Sequence, residues 1–478
     1  MLLTVACCRF ASSTASSTGP LRVCVIGSGP AGFYTAHQLV KRIDDVHVDI
    51  LDKFPVPFGL VRFGVAPDHP EIKNCINQFT VLARKEQCRF IGNVGLGQDV
   101  GLAQLRPHYH AVVLAYGAEE DKELGIPGED TPGVYSARSF VGWYNGLPEH
   151  RQLDPDLSGE VGVVIGHGNV ALDVARMLLT PVSRLKTTDM CTHAIEALAR
   201  SRVKQVRLVG RRGPLQVAFT IKELREMTKL PHCSTLIDPS YFHSIKSLLS
   251  ELPRPRRRIT ELMLSVAENR YDYRGDKRPA GGKEWGLSFL RSPVEIVSSP
   301  TTGRLDSLRL EINKLQGTWD SAKVVPTGEF EDMECDLAIR SIGYKTVRVG
   351  RDVPCDPVTG IVPNVAGRVL DRNKSYIRGL YCSGWVKTGP VGVILTTMNK
   401  AYETAEVIQE DFRSGTLPEP ERGDILEKLN NELGVDTVSF SDWENIDRHE
   451  VREGEKKGKP REKIVDLTQM MDIVHKSR

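Results

Sequence analysis

Two glycine turns constrain this chain more than any other feature: GSGPAG at Gly27 to Gly32 and GHGNVA at Gly166 to Ala171, each directly behind an apolar run. The first run, Leu21 to Ile26, has the Val and Ile content of a buried parallel strand. A strand that feeds such a turn and then a helix aims backbone N–H groups and the positive end of the helix dipole at an anion, and the glycines let a pyrophosphate come close. Gly27, Gly29, Ala31 and Gly32 are the candidate contacts there. Asp52 stands 20 residues after Gly32, closing a second apolar run, His47 to Leu51, where a carboxylate can accept hydrogen bonds from adenosine ribose hydroxyls.

The second turn repeats the pattern behind Val161 to Ile165, with Gly166, His167, Gly168, Asn169 and Val170 as candidates, and Ala171 still small enough for close helix packing. Its acid is missing. After the run Gln205 to Val209 the chain reads Gly210-Arg211-Arg212, and guanidinium forks suit the oxygens of a 2′-phosphate. The first site therefore reads as one for an adenine dinucleotide with a free 2′-hydroxyl, most simply FAD, and the second as one for NADP(H). A solvated turn is the competing reading of the arginine pair.

Length and composition agree with a soluble α/β protein of two or three domains: 478 residues, 40% hydrophobic and 26% charged. A net charge of only +2 leaves room for a local basic patch but gives no global field for nucleic acid. The ten cysteines include no CxxC pair and no cluster spacing, which excludes a dithiol relay and a resident iron–sulfur centre, and no metal site is expected. The first acid in the chain is Asp44, and the Ser/Thr-rich start MLLTVACCRFASSTASST resembles a mitochondrial transit peptide, taken as residues 1–19. No apolar run approaches the roughly 20 residues that span a bilayer.

Strand and helix patterns alternate to about Glu119, interrupted by the loop DKFPVPFGLVRFGVAPDHPE, whose Phe54, Phe58 and Phe63 either line a bound ring or pack a core. The second unit runs from 120 to 344, and the late strand GLYCSG with the Gly-rich crossing at 389–392 needs a partner that the first unit can supply. The expected architecture is two Rossmann-like dinucleotide-binding domains: an FAD domain of residues 20–119 and 345–478, with the NADP domain of 120–344 inserted in it. The charged tail from Pro418, including GEKKGKPREK, reads as a solvated extension.

GSGPAG, PFGLVRFGVAPDHPE, GHGNVALDVAR, GRRGP and GW followed by TGPVGVI, in this order, resemble the adrenodoxin reductases, mitochondrial NADPH:ferredoxin oxidoreductases among the glutathione-reductase-like flavoproteins. The resemblance implies FAD contacts at Ala31, Asp52, Leu60, Val100, Trp385 and Gly392, Val393 and Ile394. It implies NADP contacts at His167 to Val170, Arg211, Arg212, Glu223 and Gly392. Asp52 replaces the family's Glu and His167 its usual Gln; FAD binding is expected to survive the first change, and the second leaves NADPH affinity open, since an imidazole can still donate a hydrogen bond and can also add pH dependence. Trp385 is expected to stack on or cover a redox ring, with a packed core Trp as the alternative.

His69 and Asp173 are the titratable groups that the resemblance places near the domain junction and the acceptor path; satisfying a loop and favouring a helix dipole are their structural alternatives. In ELPRPRRR, Arg254 and Arg258 are the residues the family points to for docking an acidic [2Fe-2S] ferredoxin, with Arg225 upstream; a solvated face is the alternative. The implied activity is NADPH oxidation through FAD with electrons passed one at a time to that ferredoxin, for haem monooxygenases of steroid metabolism or for iron–sulfur assembly. An electron-input subunit of a glutamate-synthase-like complex and a redox-silent NADP(H) sensor are the competing functions. The expected location is the mitochondrial matrix, peripheral to the inner membrane.

Overall fold

Each glycine turn leaves the carboxyl end of a strand in its own parallel sheet. The computed structural model describes residues 19–268, 282–421 and 423–478, so all but the last residue of the proposed transit peptide lies outside the described residues. The chain divides into two compact units, each of three segments: residues 1–59, 75–118 and 346–443 form the first, and 60–74, 119–345 and 444–478 the second. The chain thus leaves the first unit and returns to it, as an inserted domain requires. Residues 60–74 and 444–478, assigned to the first domain from sequence, pack with the second.

In the first unit the strand Leu21–Ile26 is flanked by Val46–Leu51 on one side and Ala111–Leu114 on the other, all parallel, with Val25 opposite both Ile50 and Val113. Cys88–Ile91 extends the sheet beyond Val46–Leu51, and Tyr376–Cys382 extends it beyond Ala111–Leu114. Two short antiparallel strands, Arg368–Leu370 and Asn364–Val365, complete seven. Sheet order reverses direction at Leu21–Ile26, and ligands of open α/β sheets bind beyond the carboxyl ends of strands at such a switch point.

The second unit holds six parallel strands in the order Val134–Ser136, Leu337–Arg340, Val161–Ile165, Gln205–Val209, Lys283–Ser288, Cys233–Ile237. Here too the strand before the glycine turn, Val161–Ile165, sits at the reversal. An antiparallel sheet of Arg291–Ser298, Leu305–Gln316 and Lys323–Glu334 is added to it. Trp285, Tyr144, Phe140, Phe242 and Phe289 are fully buried in its core.

The tail is not a solvated extension. Glu450, Lys459 and Lys463 are buried, and Lys463 Nζ lies 3.2 Å from Asp189, which Lys73 also pairs at 2.7 Å. Glu450 pairs with buried Arg62 and accepts from the Ile464 N–H at 2.9 Å. Among the described residues no cysteine is in a disulfide, and no helix is long and apolar enough to cross a membrane.

Candidate functional site

The glycines of the first turn divide into closed and open positions. Gly27 has φ +110°, and a Cβ there would stand 2.5 Å from the Ala115 carbonyl oxygen; a Cβ on Gly32 would stand 2.0 Å from the carbonyl oxygen of Gly27. Gly29 has no heavy atom within 4 Å of its Cβ position. Two glycines thus make the turn and its packing, and the third leaves room at the N-terminus of the helix Pro30–Arg42 for a pyrophosphate. Asp52 does close this site, but part of its carboxylate is spent on the turn: Oδ2 accepts from the Ser28 N–H at 2.8 Å and from Ser28 Oγ at 2.6 Å, and Oδ1 from the Phe54 N–H at 3.0 Å. Burial pushes its carboxyl above the usual range against these bonds. Of a carboxylate's roughly four lone-pair positions, about one remains for a ribose.

The late strand joins this unit as the Gly-rich pattern required. Gly384, at φ +69°, leaves no room for a Cβ, which would lie 2.4 Å from Cβ of Ala31, and Thr35 Oγ1 bonds Ser383 Oγ at 3.0 Å. This seats the turn before half-buried Trp385 on the helix that starts at the first glycine turn. Beyond it, Val391, Val393 and Leu395 are exposed on the same unit, 74%, 49% and 61%, an apolar strip around Gly392 and Ile394 suited to a flat ring system. Val100 is buried in the core of this unit. Leu60 begins the short helix Leu60–Phe63 and belongs to the second unit. The loop phenylalanines answer the structural alternative in part: Phe58 and Phe63 are buried, and Phe58, at φ +84°, lies against Phe33 at 5.5 Å and Trp443 at 6.1 Å. Phe54 is half-buried under Lys53.

The second turn repeats the division. Gly166, φ +136°, is closed by the Ser341 carbonyl at 2.2 Å from a Cβ, whereas Gly168, which caps the helix Asn169–Leu179, is open. Asn169 Oδ1 accepts from the Thr220 N–H at 2.8 Å, and Val170 packs on the core. His167 departs from expectation. Its Nε2 donates to the Leu208 carbonyl at 3.0 Å, its ring lies 4.9 Å from Phe289, and its Nδ1 closes over Gly210. Burial lowers its pKa to about 4, with the charge of Arg212 adding to the effect. It is therefore neutral across the physiological range and carries no titration into nucleotide binding near neutral pH. Arg211 and Arg212 stand exposed at the end of Gln205–Val209, and neither guanidinium pairs with a carboxylate among the described residues.

His69, Asp173 and Glu223 come together in the second unit, with ligand atoms within 4.8 Å of one another. Three further members, Arg176, Asp68 and Glu226, were not singled out from the sequence. Buried Arg176 reaches Asp68 at 2.7 Å, Asp173 at 2.7 Å and Glu223 at 3.4 Å, and His69 Nε2 bonds Glu226 Oε2 at 2.7 Å. The i, i+3 step from Asp173 to Arg176 in one helix was the only available signal. Four carboxylates around one guanidinium and one imidazole leave an excess of negative charge. Burial, then the charge of Asp173, raises the Glu223 carboxyl to about 7, and burial raises Asp173 as well. The set can hold one proton near neutral pH.

Arg225 is exposed on the helix Ile221–Met227, and Arg254 and Arg258 on the helix Arg254–Glu268, which packs beside it. Their i, i+4 spacing puts the latter two on one face.

Two parallel sheets, each with a closed-open glycine turn at its switch point, define an oxidoreductase of the two-dinucleotide class, and residues 21–227 match the family model described as pyridine nucleotide-disulphide oxidoreductase. The chain is 52% identical over 456 residues to the mitochondrial NADPH:adrenodoxin oxidoreductase of Mus musculus, covering 95% of this chain and 91% of that one. It is 45% identical over 467 residues to the Arabidopsis thaliana protein of the same name, covering 96% and 95%. Mycobacterium tuberculosis FprA, solved in complex with NADPH, superposes with a TM-score of 0.87 at 36% identity over 95% of this chain and all of that one. The chain belongs to the NADPH:adrenodoxin oxidoreductase family.

Proposed function

We propose that the chain is an FAD-dependent NADPH:ferredoxin oxidoreductase that delivers electrons one at a time to an acidic [2Fe-2S] ferredoxin of the adrenodoxin type. The observation that carries this reading is the pair of open glycine turns on separate parallel sheets, a carboxylate following the first and two unpaired guanidiniums the second. The N–H groups opening Pro30–Arg42 would hold the FAD pyrophosphate, Asp52 a ribose hydroxyl, and Trp385, Gly392, Val393 and Ile394 the ring system, with Leu60 and Val100 as further contacts. When bound, FAD would supply an acceptor for the two electrons of one hydride, which it can give up one at a time.

In the second unit Gly166 to Val170 would hold the NADPH pyrophosphate and Arg211 and Arg212 its 2′-phosphate, with Glu223 as a further contact there and Gly392 the one expected from the first unit's stretch of chain. His69 and Asp173 are assigned to the reacting end, where the Glu226 carboxylate fixes the proton on His69 Nε2 and Glu223 takes up or releases a proton near neutral pH. Arg225, Arg254 and Arg258 would meet the acidic ferredoxin, since complementary charge speeds and orients docking. We assign the protein to the mitochondrial matrix, peripheral to the inner membrane, serving haem monooxygenases or iron–sulfur assembly.

Anaerobic stopped-flow tests the reading. NADPH is expected to bleach the flavin absorbance far faster than NADH, and added ferredoxin to restore it. Bleaching without restoration discards the partner; no bleaching discards the enzyme.

A further inference from the structure

Arg256 stands apart from the exposed arginines around it. It lies about 200° around the helix from both Arg254 and Arg258, on the inward stripe with buried Thr260 and Met263. Its Nη1 donates to the Val217 carbonyl at 2.9 Å. Val217 belongs to the loop that starts at Arg212 and is clamped to the second glycine turn: the N–H groups of Ala218 and Phe219 both donate to the His167 carbonyl, at 2.9 and 3.1 Å, and that of Thr220 to Asn169 Oδ1 at 2.8 Å. A position that helical periodicity assigns to an apolar side chain thus holds a guanidinium tethered beside the turn.

We propose that Arg256 is a third cation of the 2′-phosphate site, acting with Arg211 and Arg212 to select NADPH over NADH; this rests on reading the second glycine turn as the NADPH site. Among the described residues none of the three guanidiniums pairs with a carboxylate. Burial and the charge of Arg212 both work against the charge on Arg256. Gathering like charges without an acid costs free energy that a phosphate monoester, carrying about −1.5 to −2 at pH 7, reverses. One hydrogen bond to Val217 leaves most of the five guanidinium donors for that ligand.

Calorimetry of the flavin-loaded protein with adenosine 2′,5′-bisphosphate and with 5′-AMP tests this. Arg256→Gln removes the charge and keeps a polar amide at the position; it is expected to weaken the bisphosphate about tenfold, roughly the worth of one charge-assisted hydrogen bond, and to leave 5′-AMP unchanged. Arg256→Lys is expected to restore bisphosphate affinity to within about threefold of wild type. Equal weakening of both ligands in the Gln variant would mean that Arg256 only holds the loop and would overturn the proposal, as would no change in either, or a loss confined to the KM for ferredoxin. A wild-type protein that does not distinguish the two ligands would instead bring down the NADPH reading itself.

Discussion

Within each glycine turn the residues divide by whether a side chain could exist there. A methyl at Gly166 meets the Ser341 carbonyl at 2.2 Å and needs a φ of +136°, whereas a methyl at Gly168 meets nothing within 4 Å. Gly166→Ala should therefore cost about 2–4 kcal/mol of stability in denaturant unfolding. Gly168→Ala should unfold as the wild type does and raise the KM for NADPH about tenfold, because the methyl would occupy the space a phosphate needs. Protonation separates His167 from Glu223 in the same way. With its pKa near 4 the imidazole is neutral from pH 6 to 8 and should impose no pH dependence on NADPH affinity. Glu223, raised to about 7, is neutral below that pH and anionic above it. An added negative charge repels a polyanion, so wild-type affinity should fall as pH rises through 7, by up to about tenfold. Glu223→Gln should flatten that part of the profile in a fluorescence titration from pH 6 to 8.

The proposed partner surface belongs to the scale of elements, since it is divided between two helices. Ile221–Met227 and Arg254–Glu268 pack against each other, with Arg225 exposed on the one and Arg254 and Arg258 exposed on the other. Replacing Arg254 and Arg258 by Gln should raise the KM for ferredoxin about tenfold and steepen less with salt, while NADPH reduction of a small dye keeps its rate. Equal loss of both activities in steady-state assays would return these residues to a structural role. Most of these elements were legible: the strands Leu21–Ile26, Val161–Ile165 and Gln205–Val209 follow the apolar runs residue for residue. The helix behind the Gly-rich crossing runs over Ile394–Arg413, its first turn beginning in the exposed apolar strip. In the hairpin Leu305–Gln316 with Lys323–Glu334 the first strand does alternate, Leu308-Arg309-Leu310-Glu311-Ile312, with Leu308 and Leu310 buried, whereas the second is largely exposed and lacks the alternation that marks a half-buried strand.

At the scale of the whole molecule, each unit is assembled from distant stretches of chain, and ion pairs fasten the last of them. Asp189 lies between Lys73 and Lys463. Burial alone would raise its carboxyl, but the two ammoniums overcome that and hold it well below the usual carboxylate range. Asp189→Asn leaves both ammoniums buried without a counter-charge and should destabilise the protein by about 3 kcal/mol at pH 7. A depressed carboxyl contributes its stability above its unfolded value and loses it on acidification, so variant and wild type should converge in denaturant unfolding only below about pH 4. By itself the sequence determined the two dinucleotide folds, their glycine turns, the acid at Asp52 and the guanidiniums at Arg211 and Arg212, because these obey local rules of period, spacing and backbone freedom. Only the tertiary structure decided that Glu450, Lys459 and Lys463 of the charged tail are buried, that His167 turns inward, that Arg176 and Glu226 complete the cluster at His69, and that Arg256 leaves the exposed face. Each of those depends on a partner many residues away, and a charge in a sequence looks the same whether water or another side chain will satisfy it.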